Sequence, residues 1–167
     1  MSEVAELEAK AEKERRLAGS DPARNEPDLA RTLTRLSNRL ADMSRRADAL
    51  PPIEESTEIS RRLAATDPER YEPELAAVLN NFSNRLADLG RREDALPPIE
   101  ESTEISRRLA ATDPERYEPG LAMALNNLAN RLGEIGRRDE ALAAIEESAE
   151  IRRRLASSDP ERYDPGL

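Results

Sequence analysis

"PPIEESTEISRRLAATDPERYEP" stands at residues 51–73 and is repeated, letter for letter, at residues 97–119. Over a longer window, residues 51–96 and 97–142 are identical at 36 of 46 positions. The same frame continues from Ala143, and a weaker copy precedes both. A fixed period of this length predicts a solenoid, in which each unit buries its apolar side only against its neighbours.

Each unit is predicted to be an antiparallel pair of helices. In "EPELAAVLNNFSNRLADLGRRED", apolar residues recur at three- and four-residue intervals, which indicates an amphipathic helix with Pro73 in its first turn. Gly90 ends this helix, a second amphipathic helix follows, and Asp67 and Asp113 are candidate caps where the chain enters the next unit. The predicted class is all-α, a single solenoid domain. Its boundaries are residues 1–167, with repeats 5–50, 51–96 and 97–142 and a partial repeat 143–167.

The adjacent prolines of the second helix need an explanation, because an interior proline removes a backbone donor and clashes with the preceding turn. If the helix begins near Asp94, Pro97 and Pro98 fall at about the third and fourth positions, where few amides have a helical partner. We therefore predict a displaced or kinked first turn at Pro97–Pro98 and at Pro51–Pro52. The third copy has alanines there and is predicted to begin its helix smoothly.

Composition excludes several classes of protein. The net charge of −9 disfavours nucleic-acid binding, which depends on neutralising phosphates. No apolar run of the length of a membrane span occurs, no secretory signal follows Met1, and the absence of cysteine excludes disulfides and thiolate metal sites. The expected location is the cytoplasm. Arginine and alanine are abundant, which suggests a bacterial genome rich in G and C.

Enzymatic function is not expected. The chain has no histidine, no cysteine, no glycine-rich phosphate loop and no nucleophile motif. Adjacent glutamates such as Glu54 and Glu55 diverge by ~100° on a helix, so they are interpreted as a solvated face. Nothing in the sequence calls for a cofactor or a metal ion.

The segment "LNNLANRLGEIGRRDEALAAIEESAEI" resembles the tetratricopeptide repeat (TPR) signature of large, small and glycine positions. The resemblance is closest to the long repeats of kinesin light chains, through "LNNLA", "DEAL" and the following "DP". It implies a right-handed superhelix whose first helices line a concave groove that binds a peptide or a partner helix. The matching positions are Leu125, Leu128, Ala129, Leu132, Gly136, Ala141 and Ile145.

Asparagines recur in the first helix of each unit, although asparagine is a poor residue inside helices. Asn80 and Asn84 are four residues apart and share a face, as do Asn126 and Asn130, so stacked repeats would align donors and acceptors suited to a peptide backbone. In the family the matching asparagines contact bound peptide. The candidate peptide-binding residues are therefore Asn38, Asn80, Asn84, Asn126 and Asn130. The alternative is that these amides bond neighbouring helices and fix the stacking.

A second function remains open, in which the repeat is structural or engineered and associates with itself. The helix from about Arg138 to Ser157 is predicted to carry an apolar stripe that is buried in a dimer. The sequence then reaches "DPGL", where another first helix would begin. The expected partners are a protein or peptide ligand and, under this alternative, a second copy of the chain.

Overall fold

The computed structural model describes residues 2–158, and this part of the chain consists of helices without strands. Equivalent helices begin 46 residues apart, and each packs against the next along the chain. The predicted all-α solenoid of helical hairpins is confirmed. The helices are α1 (Glu3–Ser20), α2 (Pro22–Asp42), α3 (Arg46–Thr66), α4 (Pro68–Asp88), α5 (Arg92–Thr112), α6 (Pro114–Glu134) and α7 (Arg138–Ser158).

The helices α2, α4 and α6, which we call A-type, begin at an Asp-Pro pair. The side chain of Asp67 accepts a hydrogen bond from the backbone N–H of Arg70 at 3.3 Å, and Pro68 occupies the first helical position. Both residues suit their places, because the cap satisfies a free amide and proline has no amide to leave unpaired. Asp113 caps α6 in the same way, so the two predicted caps are confirmed.

The predicted start of the A-type helix at Pro73 is wrong by one and a half turns. The helix α4 begins at Pro68, and Pro73 lies at its sixth position. A single residue, Asp67, therefore separates α3 from α4, where a longer loop was expected. Tyr71 consequently belongs to the first turn of α4, where it packs against buried apolar residues of the neighbouring helices.

The helices α1, α3, α5 and α7, which we call B-type, also differ from the prediction. The helix α5 begins at Arg92, so Pro97 and Pro98 occupy its sixth and seventh positions. The alanine-containing α7 begins at the equivalent residue, Arg138, so the prolines do not displace the helix start. The backbone carbonyls that lose a helical partner belong to Glu93 and Asp94, which are exposed and accessible to water.

The core is a column of apolar side chains that crosses the stack from helix to helix. One large aliphatic side chain of each helix from α2 to α6 is fully buried. Buried serines add hydrogen bonds between helices: Ser83 Oγ donates to the carbonyl of Ala95, and Ser102 Oγ donates to that of Ala76, each at 2.7 Å. The aliphatic residues are Leu33, Ile53, Leu79, Ile99 and Leu125, and α4 also buries Leu86.

Ion pairs between successive B-type helices repeat at a fixed spacing. Arg15 and Glu55, Arg61 and Glu101, and Arg107 and Glu147 are each 40 residues apart, with shortest N–O distances of 2.7, 2.5 and 2.6 Å. The hydrogen bond to Glu147 raises the pKa of Arg107. Within residues 2–158, no helix has the length and apolar character needed to cross a membrane.

Replacing Pro97 by alanine is expected to stabilise the protein. The change restores a backbone amide at an exposed position inside α5 and copies Ala143 of α7. Because interior proline costs up to ~3 kcal/mol relative to alanine, we expect the free energy of unfolding to rise by about 1–3 kcal/mol in urea denaturation. The reverse change, Ala143→Pro, should lower the free energy of unfolding. Equal stabilities of wild type and Pro97→Ala would contradict this account.

Candidate functional site

The A-type helices share one face of the solenoid. Besides their hairpin partners, α2 contacts α4 and α4 contacts α6, so equivalent residues form rows across the three helices. The residues of these rows are exposed or half-buried. We call this surface the α2–α4–α6 face, with rows Arg31, Ala77 and Met123; Arg35, Asn81 and Asn127; and Asn38, Asn84 and Asn130.

Asn80 lies at the contact between α4 and α6. Its side-chain oxygen Oδ1 accepts a hydrogen bond from Asn127 Nδ2 at 2.8 Å, and only 5% of the residue is exposed. A hydrogen bond at such a position stabilises the contact, because a buried amide without a partner is costly. For Asn80, this geometry supports the alternative in which the amide fixes the stacking of the repeats. Sequence analysis did not assign a role to Asn127.

The corresponding contact between α2 and α4 is different. Thr34 occupies the place of Asn80, and its hydroxyl donates to the backbone carbonyl of Ala30 at 3.0 Å. It also lies 2.8 Å from Ser56 Oγ. Asn81, the equivalent of Asn127, therefore forms no hydrogen bond with Thr34. The change from an amide to a hydroxyl removes the amide–amide hydrogen bond from the contact between these two A-type helices.

The remaining candidate asparagines are accessible to different extents. Asn130 is exposed, and Asn38, Asn84 and Asn126 are half-buried. Asn38, Asn84 and Asn130 form one row, whereas Asn126 occupies the place that Asn80 holds in the preceding repeat. None of these four side chains forms a hydrogen bond within residues 2–158. Each offers a donor and an acceptor to a bound backbone.

Charge is unevenly distributed over the α2–α4–α6 face. Arg31, Arg35 and Arg39 are exposed on α2, where Arg31 pairs with Asp28 and Glu74, and Arg39 pairs with Glu3. The equivalents of Arg39 in the later repeats, Arg85 and Arg131, are largely buried and contact an acidic residue one turn later, at 3.4 and 3.2 Å. The α2 end of the face therefore carries exposed arginines, two of them paired with carboxylates, and the α6 end, with Met123 exposed, is more apolar. Sequence analysis missed this gradient because exposure depends on the neighbouring helix.

Stacked helical hairpins of equal length define a helical repeat protein. A family model described as "Tetratricopeptide repeat" matches residues 75–114 and 121–161. The repeats within these residues therefore match the tetratricopeptide repeat family, as the resemblance of the sequence implied. Such repeats generally mediate protein–protein interaction and are generally not enzymes.

Solved structures of the same architecture include bacterial and fungal proteins. BtubC (BKLC) from P. vanneervenii is 22% identical, with a TM-score of 0.65 over 91% of this chain. A variant of a putative kinesin light chain with nearly identical TPR-like repeats, from Podosopora anserina, is 17% identical, with a TM-score of 0.61 over 92% of this chain. These similarities show the fold and confirm the likeness to kinesin light chain repeats.

The chain is shorter than these structures. It spans 56% of the length of the P. vanneervenii protein and 70% of that of the fungal protein. A comparison with curated protein sequences gives no significant match.

The hydrogen bond between Asn80 and Asn127 is expected to contribute to stability. Replacing Asn80 by alanine leaves the amide of Asn127 without its partner, so the free energy of unfolding should fall by about 1–3 kcal/mol. Replacing the exposed Asn130 by alanine should change it by no more than about 0.5 kcal/mol. A double-mutant cycle of Asn80 and Asn127 should give a positive coupling energy; additive losses would mean that the bond does not hold α4 to α6.

Proposed function

We propose that the chain is a protein-interaction module that binds an extended peptide or a partner helix across the α2–α4–α6 face. The observation that carries this proposal is the row of Asn38, Asn84 and Asn130. These amides recur at the repeat spacing, are accessible, and have no hydrogen-bond partner within residues 2–158. Helix propensity does not favour them, so a ligand with backbone donors and acceptors accounts for their presence.

Asn80 and Asn126 have a different place in this proposal. The oxygen of Asn80 is already engaged by Asn127, so Asn80 offers a ligand only its amide nitrogen. Asn126 lies in the same row as Asn80 and Thr34, on α6. The row of Asn38, Asn84 and Asn130 is therefore the primary contact, and Asn80 and Asn126 form a second line of contacts.

Selection from a random peptide library tests this function. Peptides enriched on the wild-type protein are measured against the triple variant Asn38→Ala, Asn84→Ala and Asn130→Ala. Because each lost amide removes up to two hydrogen bonds to the peptide, we expect the dissociation constant to rise at least ~tenfold, with the thermal midpoint nearly unchanged.

A matched control replaces three exposed glutamates of B-type helices, Glu58, Glu104 and Glu150, by alanine. This variant should bind the selected peptides as the wild type does. The proposal fails if no peptide is enriched, or if the enriched peptides bind the triple asparagine variant with unchanged affinity.

Self-association is a second candidate function, favoured by one observation on α7. Leu142 and Ile145 are 56% and 38% exposed, whereas the equivalent Leu96 and Ile99 of α5 are 9% and 0% exposed. Within residues 2–158, α5 packs between α4 and α6, but α7 packs on α6 alone. We propose that this apolar face of α7 associates with the same face of a second copy.

Sedimentation velocity over a range of concentrations tests this association. We expect a dimer that forms with increasing concentration in the wild type and is lost in Leu142→Glu, because burying an unpaired carboxylate is costly. The control is Met43→Glu, at an exposed apolar residue away from α7. A wild type that stays monomeric at high concentration would exclude this role.

A further inference from the structure

A cavity of about 110 Å³ lies where α4, α5 and α6 meet. Its walls are mostly apolar and include Leu109 of α5 and Tyr117 of α6. Ala77 of α4 and Met123 of α6 also line it, and both are exposed on the α2–α4–α6 face. The cavity therefore opens onto the surface that we propose to bind peptides.

Two small residues create this cavity. Ala77 and Gly120 occupy the places that Arg31 and Glu74 hold one repeat earlier. At the α2–α4 contact, Arg31 Nε lies 3.7 Å from Glu74 Oε1. Two long side chains thus meet where the next repeat has open space.

Gly120 is not required by the packing of α6. A Cβ placed on Gly120 would meet no atom within 4 Å, so close approach of a neighbour does not demand glycine. Glycine is also among the poorest residues for a helix interior. Neither packing nor helix propensity therefore explains glycine at this position. The open space in front of Gly120 does, because a larger side chain would occupy it.

Three polar residues at the cavity have donors without a partner, whereas Ser102 donates to the carbonyl of Ala76. Asn80 accepts from Asn127 through its oxygen, but its Nδ2 group has no acceptor within residues 2–158. Ser106 Oγ lines the cavity and forms no hydrogen bond in the same range. Arg116 stacks over the ring of Tyr117 at 5.0 Å and has no ion pair among the described residues. These groups favour a ligand that carries acceptors and a negative charge.

The size of the cavity limits the apolar group that it accepts. An engineered protein cavity of about 150 Å³ holds one benzene molecule. A cavity of about 110 Å³ is smaller than that, so a branched aliphatic group of about four carbons should fill it better than a phenyl ring.

We propose that this cavity binds one aliphatic side chain, of leucine, isoleucine or valine, from a peptide lying on the α2–α4–α6 face. Asn80 Nδ2 donates to a carbonyl of the peptide, and Arg116 pairs with an acidic residue next to the aliphatic one. This inference rests on the proposed function, since it assigns a subsite within the same binding surface. It predicts that the third A-type helix selects the ligand, whereas the asparagine row binds its backbone.

The repeats supply the residues for a closing variant and an opening variant. Ala77→Arg with Gly120→Glu copies the α2–α4 contact into the α4–α6 contact and should close the cavity. Arg31→Ala with Glu74→Gly should open an equivalent cavity beside Tyr71. Removal of this pair should be tolerated, because a partly buried ion pair contributes little net stability; burial raises the pKa of the Glu74 carboxyl despite the nearby Arg31, in line with this expectation.

The probes are acetylated, amidated tetrapeptides followed by NMR of the backbone amides. Gly-Leu-Asp-Gly should shift the resonances of Ala77, Gly120 and Met123. Gly-Phe-Asp-Gly, Gly-Ala-Asp-Gly and Gly-Leu-Lys-Gly should bind at least ~tenfold more weakly, for reasons of size, contact area and charge respectively. The closing variant should lose the shifts at an unchanged thermal midpoint, and the opening variant should gain shifts around Tyr71.

The outcomes separate this inference from the proposed function. Shifts at Asn84 and Asn130 without shifts at Gly120, or equal binding by the closing variant, would overturn the subsite and leave the binding face intact. Equal or tighter binding of the phenylalanine peptide would overturn the assignment to an aliphatic side chain. If no peptide shifts any residue of the face, while selected library peptides also fail to bind, both proposals are wrong.

Discussion

The structure depends on the burial of each helix between its two neighbours along the chain. Ile53, Leu79 and Ile99 are fully buried, and each sits on a helix that packs against the helix before it and the helix after it. At ~25 cal/mol per Å² of apolar surface, such burial is the main favourable term available to a chain with very few aromatic residues. Since all contacts are between near neighbours, stability is approximately a sum over repeats and interfaces. A helix with one neighbour, as α7 has within the described residues, therefore exposes apolar surface that the others bury.

The repeat, the helical class and the pairing of helices were predictable because they depend on periodicity and local punctuation. Asp67 and Asp113 were recognised as caps, and an Asp-Pro pair is a strong start signal. The helix starts were nevertheless misplaced, because Pro73 was assigned to the first turn of α4 and α5 was expected to begin near Asp94. In both cases proline was interpreted as marking the first turn, whereas the structure places it at the sixth position. Tertiary packing on both sides of these helices outweighs the local cost of proline, and single-sequence reasoning does not include that packing.

The candidate site was predictable in part. The recurrence of asparagine indicated a polar surface on the A-type helices, and three of these amides do form an accessible row. The pairing of Asn80 with Asn127 was not predictable from spacing within one helix, because it joins residues of two repeats. The cavity was not predictable for the same reason, because it also joins residues of two repeats. It depends on Ala77 and Gly120, which are 43 positions apart in the sequence and meet only when α4 and α6 are stacked.

The positions that the repeats share and the positions at which they differ lie in different parts of the stack. The serine hydrogen bonds within hairpins and the ion pairs between successive B-type helices recur from repeat to repeat, so residues that the copies share contribute both to the hairpins and to their stacking. The α2–α4–α6 face is where the copies differ, with Arg31, Ala77 and Met123 in one row and Thr34, Asn80 and Asn126 in another. Because the stacking does not rely on these rows alone, substitutions there alter charge, hydrogen bonding and cavity volume while the scaffold remains the same. A solenoid of nearly identical units in this way presents a surface whose two ends differ in chemistry, with exposed arginines at α2 and an exposed methionine at α6.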